Sequence, residues 1–152
     1  MRSITLVLAL FGLGGMLTAA DPIIGTWRMN IAKSKFSPGP APKSVISTLT
    51  QEAEWILTRT DAIESSGQPI RRTNRYKIDG KEYPYEGPQG KGTISVSRID
   101  ERTTEAVQKF AGGHSTTTRA VISADGKTRT MTTTGTNAEG ETVNTVTVWE
   151  RE

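Results

Sequence analysis

The residues that could do chemistry in this chain are few and poorly placed for it. His114 is the single histidine, and it stands beside Ser115. Adjacent strand residues point to opposite faces, so the two cannot meet as base and nucleophile. Gly113-His114-Ser115-Thr116-Thr117 also lacks the closing glycine of a nucleophile elbow. Gly90-Lys91-Gly92-Thr93 invites comparison with a phosphate loop, but Tyr85 stands where the first glycine belongs and Gly92 where Ser or Thr belongs. A strand-like run, Thr93-Ile94-Ser95-Val96, replaces the helix. Asp79-Gly80 and Asp125-Gly126 read as hairpin turns, since no acids follow at the alternating positions of a calcium loop. Glu82 and Glu86 share one strand face at ~13 Å, too far apart for glycosidase chemistry. Cysteine is absent, which excludes thiol nucleophiles, disulfide frameworks and Cys-based zinc sites. The expectation is a protein that is not an enzyme and has no catalytic residue, cofactor or metal.

One segment carries a binding signal. Over 70–78, Ile70, Arg72, Asn74, Tyr76 and Ile78 share one face, while Arg71, Thr73, Arg75 and Lys77 share the other. The second face is wholly polar and belongs to solvent. The first then faces the core while carrying Arg72 and Asn74, which are costly to bury unpaired. Either these groups point into a wet cavity, or they pair with an interior acid such as Asp61 or Glu105; the paired reading is slightly favoured.

The elements that position these residues are strands. Of 23 threonines, 14 lie between Thr103 and Thr147, and a β-branched side chain suits a pleated, half-wet surface. Turn signals recur at short intervals: Ser66-Gly67, Asp79-Gly80, the Gly87 to Gly92 cluster, Asp100-Glu101, Gly112-Gly113, Asp125-Gly126 and Glu139-Gly140. Strands are expected near 25–30, 44–51, 55–62, 70–78, 81–86, 93–99, 103–110, 114–122, 128–135 and 142–150, with little helix. Connections this short forbid parallel crossovers. The economical closure is an all-β, antiparallel up-and-down barrel of about 8 to 10 strands, with a two-sheet sandwich as the alternative. The Pro38, Gly39, Pro40, Pro42 run makes a stiff loop after the first strand. It is either a lid over one barrel mouth, with Phe36 tucked in, or a plain connector.

Residues 1–20 read as an export signal. Met1-Arg2-Ser3 is a short positive region, Ile4 to Leu13 is apolar, and Thr18-Ala19-Ala20 offers small residues for cleavage. From Ile4 to Ala20 the stretch is barely long enough to span a bilayer and holds three glycines. Cleavage after Ala20 leaves one domain, 21–152, periplasmic or secreted from a bacterium, with no stable membrane insertion. The formal net charge of +3 is spread without a basic block, so nucleic acid is not an expected partner.

Gly25-Thr26-Trp27 opens the first strand, and Val146-Thr147-Val148-Trp149-Glu150-Arg151 ends the chain just before its last residue. These two ends resemble the calycin superfamily, the lipocalins and fatty-acid-binding proteins. The resemblance implies that Gly25 and Trp27 seal one end of the barrel, with Arg151 packed over the indole as a structural group; a guanidinium so placed contributes ~0.5 to 2 kcal/mol. The stretch from Gly25 to Ser44, together with Ser123 to Thr128, also resembles small secreted bacterial proteins of uncharacterised activity. Two departures matter. Fatty-acid-binding proteins carry a helical lid where this chain has its Pro-rich loop, and their Arg-x-Tyr carboxylate clamp falls on Thr147 and Trp149, so that clamp is not implied.

Taken together, the residues imply a monomeric, exported barrel binding a small, partly apolar molecule of unknown identity with an acidic or carbonyl group. Arg72, Asn74 and Tyr76 would be the polar anchor, and Phe36 and Trp149 apolar contacts near the mouth. The alternative is a periplasmic interaction module, such as a lipocalin-like protease inhibitor, working through the arm Asp21 to Ile24 or its loops. Interior volume separates the two, since a carrier needs several hundred Å3.

Overall fold

The computed structural model describes residues 19–152. The expected signal segment, apart from Ala19 and Ala20, lies outside them. Ten antiparallel strands follow in order: β1 (Gly25–Lys35), β2 (Ser44–Glu52), β3 (Trp55–Ile63), β4 (Pro69–Lys77), β5 (Glu82–Gly87), β6 (Gly90–Asp100), β7 (Thr103–Phe110), β8 (Ser115–Ile122), β9 (Thr128–Thr136) and β10 (Thr142–Arg151). A single 3₁₀ turn, Ala111–Gly113, is the helical content of the described residues. No helix among them is long and apolar enough to cross a membrane.

Every hairpin pairs chain neighbours, and β1 pairs β10, so the sheet runs β4-β3-β2-β1-β10-β9-β8-β7-β6-β5. It curls until its two edges, β4 and β5, lie side by side. The result is a nearly closed barrel, which removes almost all free edge. Curling demands close backbone approach at a few points. At Gly92, a Cβ would fall 1.9 Å from the carbonyl oxygen of Lys109 on β7, so only glycine lets β6 and β7 bend together there. The Gly90-Lys91-Gly92 run is thus the bent start of β6, not a phosphate site.

The expected strand positions hold, with two extensions: β6 begins at Gly90, within the expected turn cluster, and β1 runs past Asn30. β1 continues to Lys35 by an irregularity between Asn30 and Lys35, after which Lys35 pairs with Val146. Asn30 makes this possible: its side chain accepts from Lys33 N–H (3.1 Å), and its carbonyl accepts from Ser34 Oγ (2.7 Å). Asn144 N–H then donates to the Ser37 carbonyl (2.7 Å), tying the start of the Pro-rich loop to β10. Phe36 is half-buried beside this tie, outside the main core cluster.

The end of the barrel at Gly25 is sealed as the Gly-x-Trp motif implies. Trp27 is 0% exposed, with Arg151 Cζ 4.2 Å from its ring centroid. The guanidinium donates to the carbonyls of Gly126 (2.8 Å), Ile24 (2.6 Å) and Pro22 (2.6 Å). Gly25 is required beneath it, because a Cβ would sit 2.5 Å from Arg151 Nη1 and the backbone has φ +136°.

Candidate functional site

Strand alternation decides what lines the barrel. Inward positions include Leu49 on β2, Ile56 on β3, Tyr76 on β4, Ile94 and Val96 on β6, Ile122 on β8 and Trp149 on β10. Polar residues are interleaved on the same faces, and Ser47, Thr104, Gln108, Thr116, Thr145 and Thr147 are all buried. Several are engaged: Ser47 with Thr60 (3.1 Å), Gln108 donating to the Gly90 carbonyl (3.1 Å) and Thr145 donating to the Ser37 carbonyl (3.1 Å), as are Thr118 and Thr133 with each other (2.8 Å), while Thr116 Oγ1 is buried without a partner. The interior is therefore semi-polar, with part of its side-chain bonding capacity taken up by neighbouring hydroxyls and carbonyls.

Three inward arginines differ. Arg72 on β4, Arg98 on β6 and Arg129 on β9 each keep a buried guanidinium nitrogen with no acceptor: Nε of Arg72, Nη1 of Arg98 and Nε of Arg129. Burial pushes Arg129 below the usual arginine range, opposed by Tyr76, Tyr85 and Asp21. Burial raises the Tyr76 hydroxyl to about 12, with Arg129 pulling the other way. Tyr85 is likewise raised by burial and lowered by Arg129 and Arg72. These effects place the two tyrosines and the arginines in one electrostatic neighbourhood.

The expected counter-acids for Arg72 are on the wrong side of the sheet. Asp61 stands opposite Arg71 in the β3–β4 register and accepts from Arg71 Nε (2.6 Å) and Arg59 Nε (3.0 Å) on the outer surface. Those cations hold its carboxyl below the usual range, the Arg71 bond most of all. Glu105 pairs with Arg119 at 4.0 Å, also outside. The favoured pairing of Arg72 with an interior acid is thus corrected by register: the cross-strand partner of an inward residue is another inward residue, here Thr60.

Asn74 and Tyr76 do share the inward face with Arg72, but Asn74 is committed elsewhere. It donates through Nδ2 to the Glu86 carbonyl (2.9 Å) and accepts from Glu86 N–H through Oδ1 (2.9 Å). Its amide mimics a backbone pair and stitches β4 to β5 at the seam. Tyr76 and Tyr85 meet edge to face across the same seam at 6.5 Å, as do Trp55 and Tyr83 at 5.3 Å.

Trp149 lies toward the Trp27 end, opposite Met29 and Arg129 in the β10 registers, and not at the mouth where it was expected. Its Nε1 donates to Thr147 Oγ1 (2.9 Å). The arm expected to project is docked: Ile23 is buried, its carbonyl accepts from Trp27 Nε1 (3.0 Å), and Asp21 forms an ion pair with Arg98.

Two spaces adjoin Arg98 and Arg129, and Arg72 lines neither of them. An interior void of about 90 Å3 is lined by Ile23, Tyr76, Tyr85, Gln108, Arg129 and Met131 among others. A cleft of about 330 Å3 at the Trp27 end is lined by Asp21, Ile56, Lys77, Ile78, Asp79 and Arg98 among others. The void falls short of the several hundred Å3 expected of a carrier. Sequence reading missed Arg98 and Arg129, although a signal was there: each shares its alternation with apolar residues, Ile94 and Val96 for Arg98, Met131 for Arg129.

This architecture has counterparts among solved structures. A Schistosoma mansoni fatty acid binding protein in complex with arachidonic acid matches with a TM-score of 0.56 at 15% identity, covering 86% of this chain and 96% of that one. A zebrafish ileal bile acid-binding protein complexed with cholic acid matches with a TM-score of 0.57 at 16% identity, covering 86% and 99%. The fold is that of a calycin-like β-barrel. An S-type phycobiliprotein lyase from Guillardia theta also matches, with a TM-score of 0.56 at 13% identity, covering 86% and 89%. No protein-family model matches the sequence, and no curated protein matches it.

Proposed function

We propose that this calycin-like barrel is an exported carrier that binds one small, partly apolar acid, with its inward arginines as the anchor. One observation carries the reading: Arg72, Arg98 and Arg129 face inward with unpartnered buried nitrogens, while Asp21 is the one acid paired to any of them among the described residues. Buried guanidinium groups without anions are costly, and a bound carboxylate relieves that cost through charge-assisted bonds. Tyr76 and Tyr85, kept neutral by burial, can donate to the same anion. The similarity to proteins solved in complex with arachidonic acid and cholic acid, both acids, agrees with this chemistry.

The void is too small for a long tail, so the ligand is compact, and the role is binding and not turnover. Export rests on the leader, with the mature chain beginning at Asp21. An interaction module working through a free arm fits less well, since the arm is held by Trp27, Arg98 and Arg151. Calorimetric titration with benzoate, hexanoate and their neutral amides tests the proposal. The acids should bind at least about tenfold more tightly than the amides, the size of one charge-assisted bond. Equal affinity for acid and amide would remove the arginines from the anchor role. No binding by any of the four would remove the carrier reading.

A further inference from the structure

Asp21 divides its two oxygens. Oδ1 accepts from the Ile23 N–H (3.1 Å), which folds the arm into its turn, and Oδ2 takes Arg98 Nη2. One side-chain oxygen is thus left for a guanidinium that presents a two-pronged fork, and Arg98 Nη1 stays buried without an acceptor. A free carboxylate or sulfonate has no such prior commitment and can engage both prongs in parallel, the stronger geometry.

The position of this pair matters as much as its geometry. Asp21 and Arg98 line the 330 Å3 cleft, whose apolar residues are Ile56 and Ile78. Ile23, two residues along the same arm, lines the 90 Å3 void together with Tyr76 and Arg129. The Asp21 charge is felt by both Tyr76 and Arg129. The ion pair therefore stands between an outer space of ligand size and the arginines within. The cleft supplies the volume, and its other acids are engaged, Glu54 by Lys77 and Asp79 by Tyr83 and the Lys81 N–H, so Arg98 is the cation there that a second anion can take.

We propose that the Asp21 carboxylate is a built-in competitor for the ligand's acid group, and that the cleft beside the Asp21–Arg98 pair, outside the Trp27 seal, is the binding site for an apolar carboxylate or sulfonate. The incoming anion takes Arg98 through both Nη atoms, and Asp21 swings away while the arm stays anchored by its Pro22 and Ile24 carbonyls on Arg151. This inference rests on the carrier reading and adds to it a place for the ligand's apolar part and a regulator of affinity. Exchanging one anion for another at the same cation moves no net charge out of water, which lowers the threshold for displacement.

The test is a fluorescence titration of the purified protein with 8-anilinonaphthalene-1-sulfonate, an apolar sulfonate too large for the void alone. Asp21→Asn keeps the acceptor for Ile23 N–H and removes only the competing charge. It should bind the dye about tenfold more tightly than the unsubstituted protein, and adding Arg98→Gln should abolish the gain. Thermal melts of each variant separate this from loosened structure. Unchanged or weaker binding in a folded Asp21→Asn protein would overturn the competitor role while leaving the carrier reading intact. A gain that persists in the double variant would overturn the assignment of Arg98. If the unsubstituted protein binds neither this dye nor benzoate or hexanoate, the carrier reading fails and this inference with it.

Discussion

Two side chains show how differently a buried arginine can behave in one barrel. Arg151 is satisfied: three carbonyls and the Trp27 ring absorb its charge. It acts with Trp27 as a plug, so Trp27→Ala should cost about 3 to 5 kcal/mol in denaturant unfolding, the range for emptying a large aromatic site. Arg129 is the opposite case, buried with Nε unpartnered. Arg129→Met should leave stability unchanged or raise it, because it removes a desolvated charge that has no ion pair. The same substitution should weaken hexanoate binding by about tenfold or more; a large fall in melting temperature would instead mark Arg129 as a structural group. Alternation over 70–78 was enough to place Arg72 inside. The same reasoning along Ile94-Ser95-Val96-Ser97-Arg98 and Arg129-Thr130-Met131 places the other two. What was not legible was pairing: Asp61 is close to Arg72 in the fold, yet only register shows that it faces Arg71 across the outer surface.

At the scale of elements, the strands were legible because threonine-rich runs broken by Gly-containing turns leave few alternatives, and the Gly-x-Trp and terminal Arg motifs fixed which end closes. The β1 extension was not, since it depends on Asn30 folding its own backbone back through Lys33 and Ser34. Nor was the seam legible, because the gap between β4 and β5 is bridged by a side chain imitating a ladder. Asn74→Ala removes both hydrogen bonds to Glu86 and should destabilise by about 1 to 2 kcal/mol. Amide hydrogen exchange should rise most at Glu86 and its neighbours on β5. Uniform acceleration throughout the barrel would show that the seam is not an independent opening unit.

The whole molecule has a charge pattern with opposite rules inside and out. On the surface, Asp61, Asp79, Glu82, Asp100, Asp125 and Glu150 all have lowered values, held first by hydrogen bonds from Arg71, the Lys81 N–H, Lys109, the Arg102 N–H, Ser123 and Asn30 respectively. Their contribution is present above the ordinary carboxylate range, about pH 4. It is lost as pH falls through the depressed values, because the unfolded chain then binds more protons. Inside, Tyr76 is raised to about 12. Its contribution is complete below the ordinary tyrosine value of about 10 and is lost as pH rises toward 12. Urea unfolding across pH should therefore give a broad plateau with an acid limb below about pH 4 and an alkaline limb above about pH 10. Absence of the alkaline limb in the unsubstituted protein, or a limb undiminished in Tyr76→Phe, where the buried Tyr85 hydroxyl remains to supply part of it, would contradict the burial assigned to the Tyr76 hydroxyl.

The central claim is that the inward arginines are the protein's half of an anion site. The most direct measurement follows the arginine Nε–Hε resonances by nitrogen–proton NMR while hexanoate is added. Arg129 and Arg72 should shift downfield and become protected from solvent exchange as the site saturates, and Arg98 should follow as Asp21 yields. The outer arginines, Arg28, Arg59, Arg71 and Arg119, are already paired and should stay in place. Movement confined to those outer residues, or none at all at saturating hexanoate, would contradict an anion site inside the barrel.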